Sequence, residues 1–107
     1  MDMQRLDSAL GRLGITSRYL GSSYLCYAVC LAAERPDLLL HVTKELYPAI
    51  AAHFGTTCPC VTRNIRTVID VVWTLKRSVL QSLSPYPLNK KPTVAQFIAI
   101  LAAPFIG

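Results

Sequence analysis

Two arginines, Arg63 and Arg66, carry the side chains whose type and spacing in this sequence best suit a chemical role. Side chains three residues apart are neighbours on one face of a helix. Each guanidinium presents paired N–H donors that match a phosphate group or the edge of a guanine base. Thr57 and Thr62 lie close by in the sequence, and their hydroxyls can reach phosphates from the same side. The pattern indicates a helix surface that faces an anion.

A helix-turn-helix over residues 50–65 is the element predicted to position these arginines. Gly55 can adopt a positive φ without a Cβ penalty and so ends the first helix. Thr57 then offers its hydroxyl as the cap of the second helix, and Pro59 falls in the first turn, where no N–H is needed. An ordinary αα-hairpin would show the same spacing and stays open as an alternative.

The second helix is predicted over about residues 59–77, with apolar positions at helical spacing that face inward. The residues left on its outer face are Pro59, Thr62, Arg63, Arg66, Thr67 and Asp70. Asp70 follows Arg66 by four residues and could hold it in an ion pair. Such an exposed pair is worth only about 0.3 to 0.5 kcal/mol, too little to compete with a guanine.

The charge is distributed unevenly along the chain. Residues 1–59 hold five basic and five acidic side chains, whereas residues 60–107 hold six basic side chains against Asp70 alone. The net charge of +5 therefore belongs to the predicted second helix and the segment after it. A one-sided positive field attracts a phosphate backbone, and Lys44, Lys90 and Lys91 are further candidates for phosphate contacts.

Length and composition indicate one domain that can bury a single core. The longest apolar run, residues 94–107, is shorter than the roughly 20 residues needed to span a bilayer, so no membrane partner is expected. The N-terminus lacks the apolar stretch of a secretory signal, and we expect a cytoplasmic protein. Serine, histidine and acidic residues are not grouped as in a catalytic site, and no glycine-rich phosphate loop is present. Neither an enzyme nor a cofactor is expected.

Four cysteines raise the alternative of a zinc site. Cys26 and Cys30 share a helical face, and Cys58 and Cys60 flank Pro59, so two pairs could meet if the helices brought them together. The spacing lacks the Cys-x-x-Cys pattern that structural zinc sites favour. We therefore predict thiols without a metal, of which Cys26 and Cys30 are buried as small apolar side chains.

The remaining segments predict further helices and no strand. Helices are expected over residues 2–13, stopped by Gly14, over about 22–35, and over 94–103, where Thr93 and Gln96 form a capping box. Thr43 is a candidate cap for a helix in which Pro48 either causes a kink or starts a new helix. The proline-containing segment 82–92 is expected to be a surface loop. The fold class predicted is all-α, a compact domain of five to six helices that contains a helix-turn-helix.

The chain resembles a known family, the C-terminal effector domain of the stage-zero sporulation response regulator, a master transcription factor of endospore formation. The resemblance covers most of the chain. It is carried by Gly14, Ile15, Gly21, Thr43, Lys44, Leu46, Tyr47, Pro48, Ile50, Ala51, Phe54, Thr56, Thr57, Val61, Arg63, Ile65, Arg66, Val71, Trp73, Lys91, Pro92, Thr93, Phe97, Ile98 and Ala99. It implies an all-helical domain that reads double-stranded DNA with its helix-turn-helix.

Departures from the family pattern fall on the reading face. Pro59, Cys60, Thr62 and Thr67 stand where the family has serine, arginine, glutamate and histidine, so Arg63 and Arg66 are the polar reading residues that remain. The target DNA is therefore expected to differ from that of the family. We expect one effector domain over residues 1–107 without the family's receiver domain, with a homodimer on DNA and a receiver-domain protein in trans as candidate partners.

Two hypotheses follow from these observations. The first is a sporulation-type transcriptional regulator whose helix enters the major groove. Its DNA-binding residues are predicted to be Thr57, Pro59, Cys60, Thr62, Arg63, Arg66 and Thr67. The alternative is a protein-interaction or antagonist module that keeps the fold but has lost DNA reading. It rests on the altered helix face and on the apolar residues 102–106, where the family is charged.

Overall fold

The computed structural model describes residues 3–16 and 18–105, and within these ranges the chain is helical and has no strand. The predicted all-α fold is confirmed. The six α-helices are α1 (Met3–Arg12), α2 (Leu20–Glu34), α3 (Tyr47–Phe54), α4 (Cys58–Leu75), α5 (Arg77–Leu83) and α6 (Val94–Ala102). Two 3-10 helices, Pro36–Leu40 and Ala103–Phe105, and a π-helix, Val42–Leu46, complete the described elements.

Helix α4 lies at the centre of the packing and contacts α2, α3, α5 and α6. Its inward positions are the ones that the periodicity predicts, and all of them are buried: Val61, Ile65, Val68, Ile69 and Val72. Helix α2 packs on both α4 and α6, so the core lies between these three helices. Because α4 is held on several sides, its outer face is presented on a rigid support.

Helices α2 and α4 approach each other closely at Gly21. A Cβ atom placed there would lie 2.8 Å from Cγ2 of Val68 and closer still to the carbonyl oxygen of Asn64. Real Cβ atoms essentially never approach another atom so closely. Glycine at this position is therefore what allows the first turn of α2 to touch the backbone of α4.

The corner before α3 differs from the prediction. Thr43 does not cap a helix, because the chain already begins to wind at Val42, with His41 at the N-cap and no side-chain cap. The wide π turn ends with the N–H of Tyr47 donating to the carbonyl of Val42. Pro48 then falls in the first turn of α3, where its missing N–H costs nothing.

The predicted helix over residues 59–77 ends two residues early, because Lys76 leaves the helical conformation with φ −132° and ψ 33°. In a continuous helix the backbone N–H of Arg77 would donate to the carbonyl of Trp73. That carbonyl instead accepts a bond of 3.2 Å from Nε of the Arg77 side chain, whose guanidinium lies 4.1 Å from the Trp73 ring centroid. Helix α5 starts at Arg77 and includes Ser82 and Leu83, so the predicted loop begins only at residue 84.

The described part of the chain begins and ends in short helical segments. Asp2, the first residue of the helix predicted over residues 2–13, lies outside the described residues. Helix α1 begins at Met3, and Gly14 follows its end with φ 76°. The capping box of α6 is confirmed: Thr93 Oγ1 accepts from the N–H of Gln96, and the Gln96 side chain accepts from the N–H of Thr93. The apolar end of the chain packs back, since Ala102 is buried and Phe105 is half-buried against the core with Arg5 5.6 Å from its ring. Ile106, the last residue of that predicted apolar tail, lies outside the described residues.

Candidate nucleic-acid interface

The turn between α3 and α4 has the geometry that local sequence signals predict. Gly55 takes the left-handed conformation with φ 64° and ψ 40°, and its N–H donates to the carbonyls at the end of α3. Thr57 Oγ1 accepts a hydrogen bond of 3.3 Å from the N–H of Cys60. Pro59 lies in the first turn of α4. Phe54 packs edge-on against Tyr24 of α2 with ring centroids 5.1 Å apart, which fixes the turn on the core.

The outer face of α4 borders one shallow groove. The residues that line it are Thr43, Tyr47, Cys58, Pro59, Thr62, Arg63, Arg66, Thr67 and Asp70. Five of the predicted DNA-binding residues, Pro59, Thr62, Arg63, Arg66 and Thr67, are thereby brought together. Thr43 and Tyr47 form the opposite wall and were missed from the sequence, because only the π turn before α3 brings them alongside α4.

Arg63 and Arg66 are both exposed, and no carboxylate within the described parts of the chain lies at ion-pair distance from either. Their guanidinium donors are therefore available at the groove. Arg66 also lies near Tyr47, where its positive charge opposes the burial that raises the pKa of the Tyr47 hydroxyl. The two arginines give this face of α4 a net positive field, because Asp70 is the groove's sole acidic residue.

The three threonines among the predicted DNA-binding residues differ in the state of their hydroxyl groups, and Thr57 does not line the groove. Thr57 Oγ1 accepts from the backbone of Cys60, so its own O–H stays free to donate to a phosphate. The hydroxyls of Thr62 and Thr67 donate instead to the carbonyls of Cys58 and Arg63, each over 2.9 Å. A phosphate offers only acceptors, so these two must rotate away from the helix backbone before they can contact one. Thr57 is the threonine already arranged for a phosphate.

The ion pair between Arg66 and Asp70 that their spacing allows is not formed. Asp70 accepts from Nζ of Lys91, which precedes α6 by three residues. Lys90 is exposed beside Lys91 in the same segment. Lys44 is exposed in the π turn, where it borders a different hollow with Leu40 and Ala95. This hollow shares Thr43 with the groove of α4 but includes neither Lys90 nor Lys91.

Cys60 points away from the groove, unlike the other predicted residues of α4. Its Sγ lies 3.7 Å from the hydroxyl of Tyr24 in α2 and accepts a bond of 3.5 Å from Nδ2 of Asn64. Hydrogen bonds with Thr56 and Tyr24 lower the pKa of the Cys60 thiol, and the charge of Arg63 acts in the same direction. Tyr24 is 36 residues away in the chain, so no local signal could have revealed this contact.

The pKa shifts of the cysteines predict different reactivities. Cys26 and Cys30 are half-buried and not fully buried as predicted. This partial burial raises the pKa of their thiols, whereas the pKa of the Cys60 thiol is lowered. The thiolate is the reactive form, so alkylation of Cys60 by iodoacetamide should begin at a lower pH than alkylation of the other two. Mass spectrometry of peptides from a Cys58→Ser variant measures each rate. Denatured protein is the control, and identical pH profiles in the folded protein would contradict the assignment.

The described residues offer no site for a metal. The four cysteines remain thiols, and no group of three or more histidine, cysteine, aspartate or glutamate side chains converges in residues 3–16 and 18–105. The zinc alternative therefore has no supporting geometry in this part of the chain. Among the helices described here, none has both the length and the apolar character that crossing a membrane requires.

Comparison with known proteins identifies the fold family. The model of the family described as "Sporulation initiation factor Spo0A C terminal" matches residues 6–105, which include the whole of α4 and every residue of its outer groove. The family consists of sporulation-related DNA-binding effector domains of transcription factors and is not a family of enzymes. The chain therefore belongs to the family of Spo0A C-terminal domains.

Proposed function

We propose that this chain binds double-stranded DNA as a sporulation-type transcriptional regulator and inserts the outer face of α4 into the major groove. The observation that carries the proposal is the pair of exposed arginines, Arg63 and Arg66, which lack carboxylate partners in the described chain. An α-helix fits the width of the major groove, and a guanidinium can bond both O6 and N7 of one guanine. Family membership supports the same role.

The phosphate contacts proposed alongside are of two kinds. At the start of α4, Thr57 supplies a free hydroxyl donor. Lys44 and Lys90 supply charge from the flanking segments. Contacts of this kind set the position of a protein on the duplex, whereas base contacts select the sequence. Pro59 and the small polar Thr62 and Thr67 leave the reading of bases mainly to the arginines. Binding to chromosomal DNA also implies a cytoplasmic location in a bacterium.

The test is the titration of labelled DNA duplexes at two salt concentrations. Fluorescence anisotropy is measured first on a randomised duplex pool and then on the sequences that the protein enriches from it. The logarithm of the binding constant should fall with the logarithm of salt concentration, by roughly 0.9 for each phosphate neutralised. Enrichment of one sequence with a common guanine-containing core is the expected result. Absence of binding at low salt would refute the proposed function.

A further inference from the structure

Asp70 lies between two cations that compete for its carboxylate. Arg66 precedes it by four residues on α4, a spacing at which side chains of opposite charge can pair. Lys91 comes from the segment before α6, 21 residues further along the chain, and it is Lys91 that binds Asp70. Arg66, Asp70 and Lys91 border the same hollow between α4 and the start of α6.

The backbone on each side of this ion pair is held in place. Pro92, the next residue after Lys91, is buried, and Thr93 is fixed by the reciprocal hydrogen bonds of the α6 capping box. Ile69, which precedes Asp70, is buried in the core. Lys91 is therefore presented to Asp70 from an anchored segment, and little backbone ordering is needed to form the pair. The neighbouring Lys90 is exposed and forms no ion pair within the described chain.

We propose that Lys91 is a positioning residue for Arg66: it occupies the Asp70 carboxylate and so leaves the Arg66 guanidinium free to read a base. This inference rests on the proposed DNA-binding function and adds a determinant of its specificity. Without Lys91, the Asp70 carboxylate would lose its ion-pair partner within the described chain, and Arg66 borders the same hollow one helical turn away. The guanidinium would then be drawn along the helix toward residue 70 and away from the groove edge.

A direct phosphate contact by Lys91 is the competing explanation, and it predicts a different pattern. Loss of a phosphate contact weakens binding to all sequences alike and reduces the salt dependence. Loss of a positioning contact instead reduces the discrimination between the preferred base and the other bases at one position. The ratio of affinities for the selected site and for a singly substituted site separates the two, because the general loss of charge cancels in the ratio.

The experiment measures this ratio at the base pair that Arg66 reads. That base pair is the one at which an Arg66→Ala variant loses its base preference. Lys91→Ala should lower the ratio about twofold, the scale on which an exposed i,i+4 ion pair competes. Lys90→Ala removes the same charge from the same segment and should leave the ratio unchanged. Lys91→Ala combined with Asp70→Asn should restore the ratio of the wild type, because no carboxylate is left to capture Arg66.

A second readout does not depend on DNA. The Nε–H resonance of Arg66 in a heteronuclear NMR spectrum should shift in Lys91→Ala and return to its original position in the Lys91→Ala, Asp70→Asn double variant. If the wild type binds no duplex, the proposed function fails, and this spectrum still tests the ion-pair exchange. An unchanged Arg66 resonance in Lys91→Ala would overturn the proposal. A ratio that stays at the wild-type value in Lys91→Ala while both affinities fall would also overturn it and would favour a phosphate contact. A lowered ratio that the double variant does not restore would overturn it as well, because Asp70 would then not be the cause of the loss.

Discussion

Replacing Arg63 or Arg66 with alanine is expected to remove the DNA-binding preference for the base that each arginine reads and to leave the thermal stability nearly unchanged. Both side chains are exposed and have no carboxylate partner in the described residues, so their removal breaks no ion pair of the fold. A bidentate contact to guanine contributes about 1 to 3 kcal/mol of discrimination, which corresponds to roughly a 5- to 150-fold loss of preference. Binding competitions between the selected duplex and single-base variants measure that loss.

The change in stability should be small by comparison. Surface substitutions away from structural features usually change the free energy of unfolding by less than about 0.5 kcal/mol. Arginine and alanine are also both good helix formers. Melting curves followed by circular dichroism should therefore shift by no more than about 3 °C. A larger loss in either variant would mean that the arginine is structural, and its role in DNA reading would have to be withdrawn.

Arg12→Ala is a suitable control for both substitutions. Arg12 is an exposed arginine near the end of α1, and it borders the hollow between α1 and α6 rather than the groove of α4. Its removal lowers the net charge by the same unit, so any general electrostatic effect on DNA affinity should be similar. A base preference that is lost equally in Arg12→Ala would show that charge, and not contact, accounts for the result.

The parts of this domain that the sequence predicts well are those determined by neighbouring residues. Gly55, Thr57 and Pro59 lie within five positions and each has a conformational role that does not depend on the rest of the fold. The capping box of α6 likewise involves residues only three apart. The outward face of α4 follows from its apolar period alone, because five core positions leave only one side for the arginines.

The parts that were missed depend on contacts between distant residues or on unusual backbone geometry. The partner of Asp70 is Lys91, which lies 21 residues further along the chain and is brought to it by the position of α6, so the sequence did not reveal this ion pair. The sequence predicts Cys60 to be a DNA-binding residue, but the packing of α2 places Tyr24 against its thiol. At the end of α4, the Arg77 side chain donates a hydrogen bond to the backbone carbonyl of Trp73. The spacing of apolar residues in the sequence does not predict a side-chain hydrogen bond in place of a backbone one.

Gly21→Ala adds a single methyl group and is expected to destabilise the domain. The new methyl group would collide with the carbonyl oxygen of Asn64 and with Cγ2 of Val68, so α2 must move away from α4. Overpacking of this kind typically costs about 1 to 3 kcal/mol, and a backbone carbonyl yields less readily than a flexible side chain. Alanine also lowers the conformational entropy of the unfolded chain, which raises the free energy of unfolding by about 0.4 to 1 kcal/mol and offsets part of this cost.

The net loss should be about 1 to 2 kcal/mol, or roughly 4 to 8 °C in the melting temperature for a domain of this size. Gly11→Ala is the matched control, because Gly11 is exposed near the end of α1 and a Cβ there would meet no atom within 4 Å. That substitution should stabilise the domain by about 0.5 to 1 kcal/mol, through the higher helix propensity of alanine. The two variants add the same methyl group, so the difference between them isolates the contact of α2 with α4. If Gly21→Ala melted no lower than the wild type, the two helices could not be as close as the structure places them, and the rigid support proposed for Arg63 and Arg66 would lose its basis.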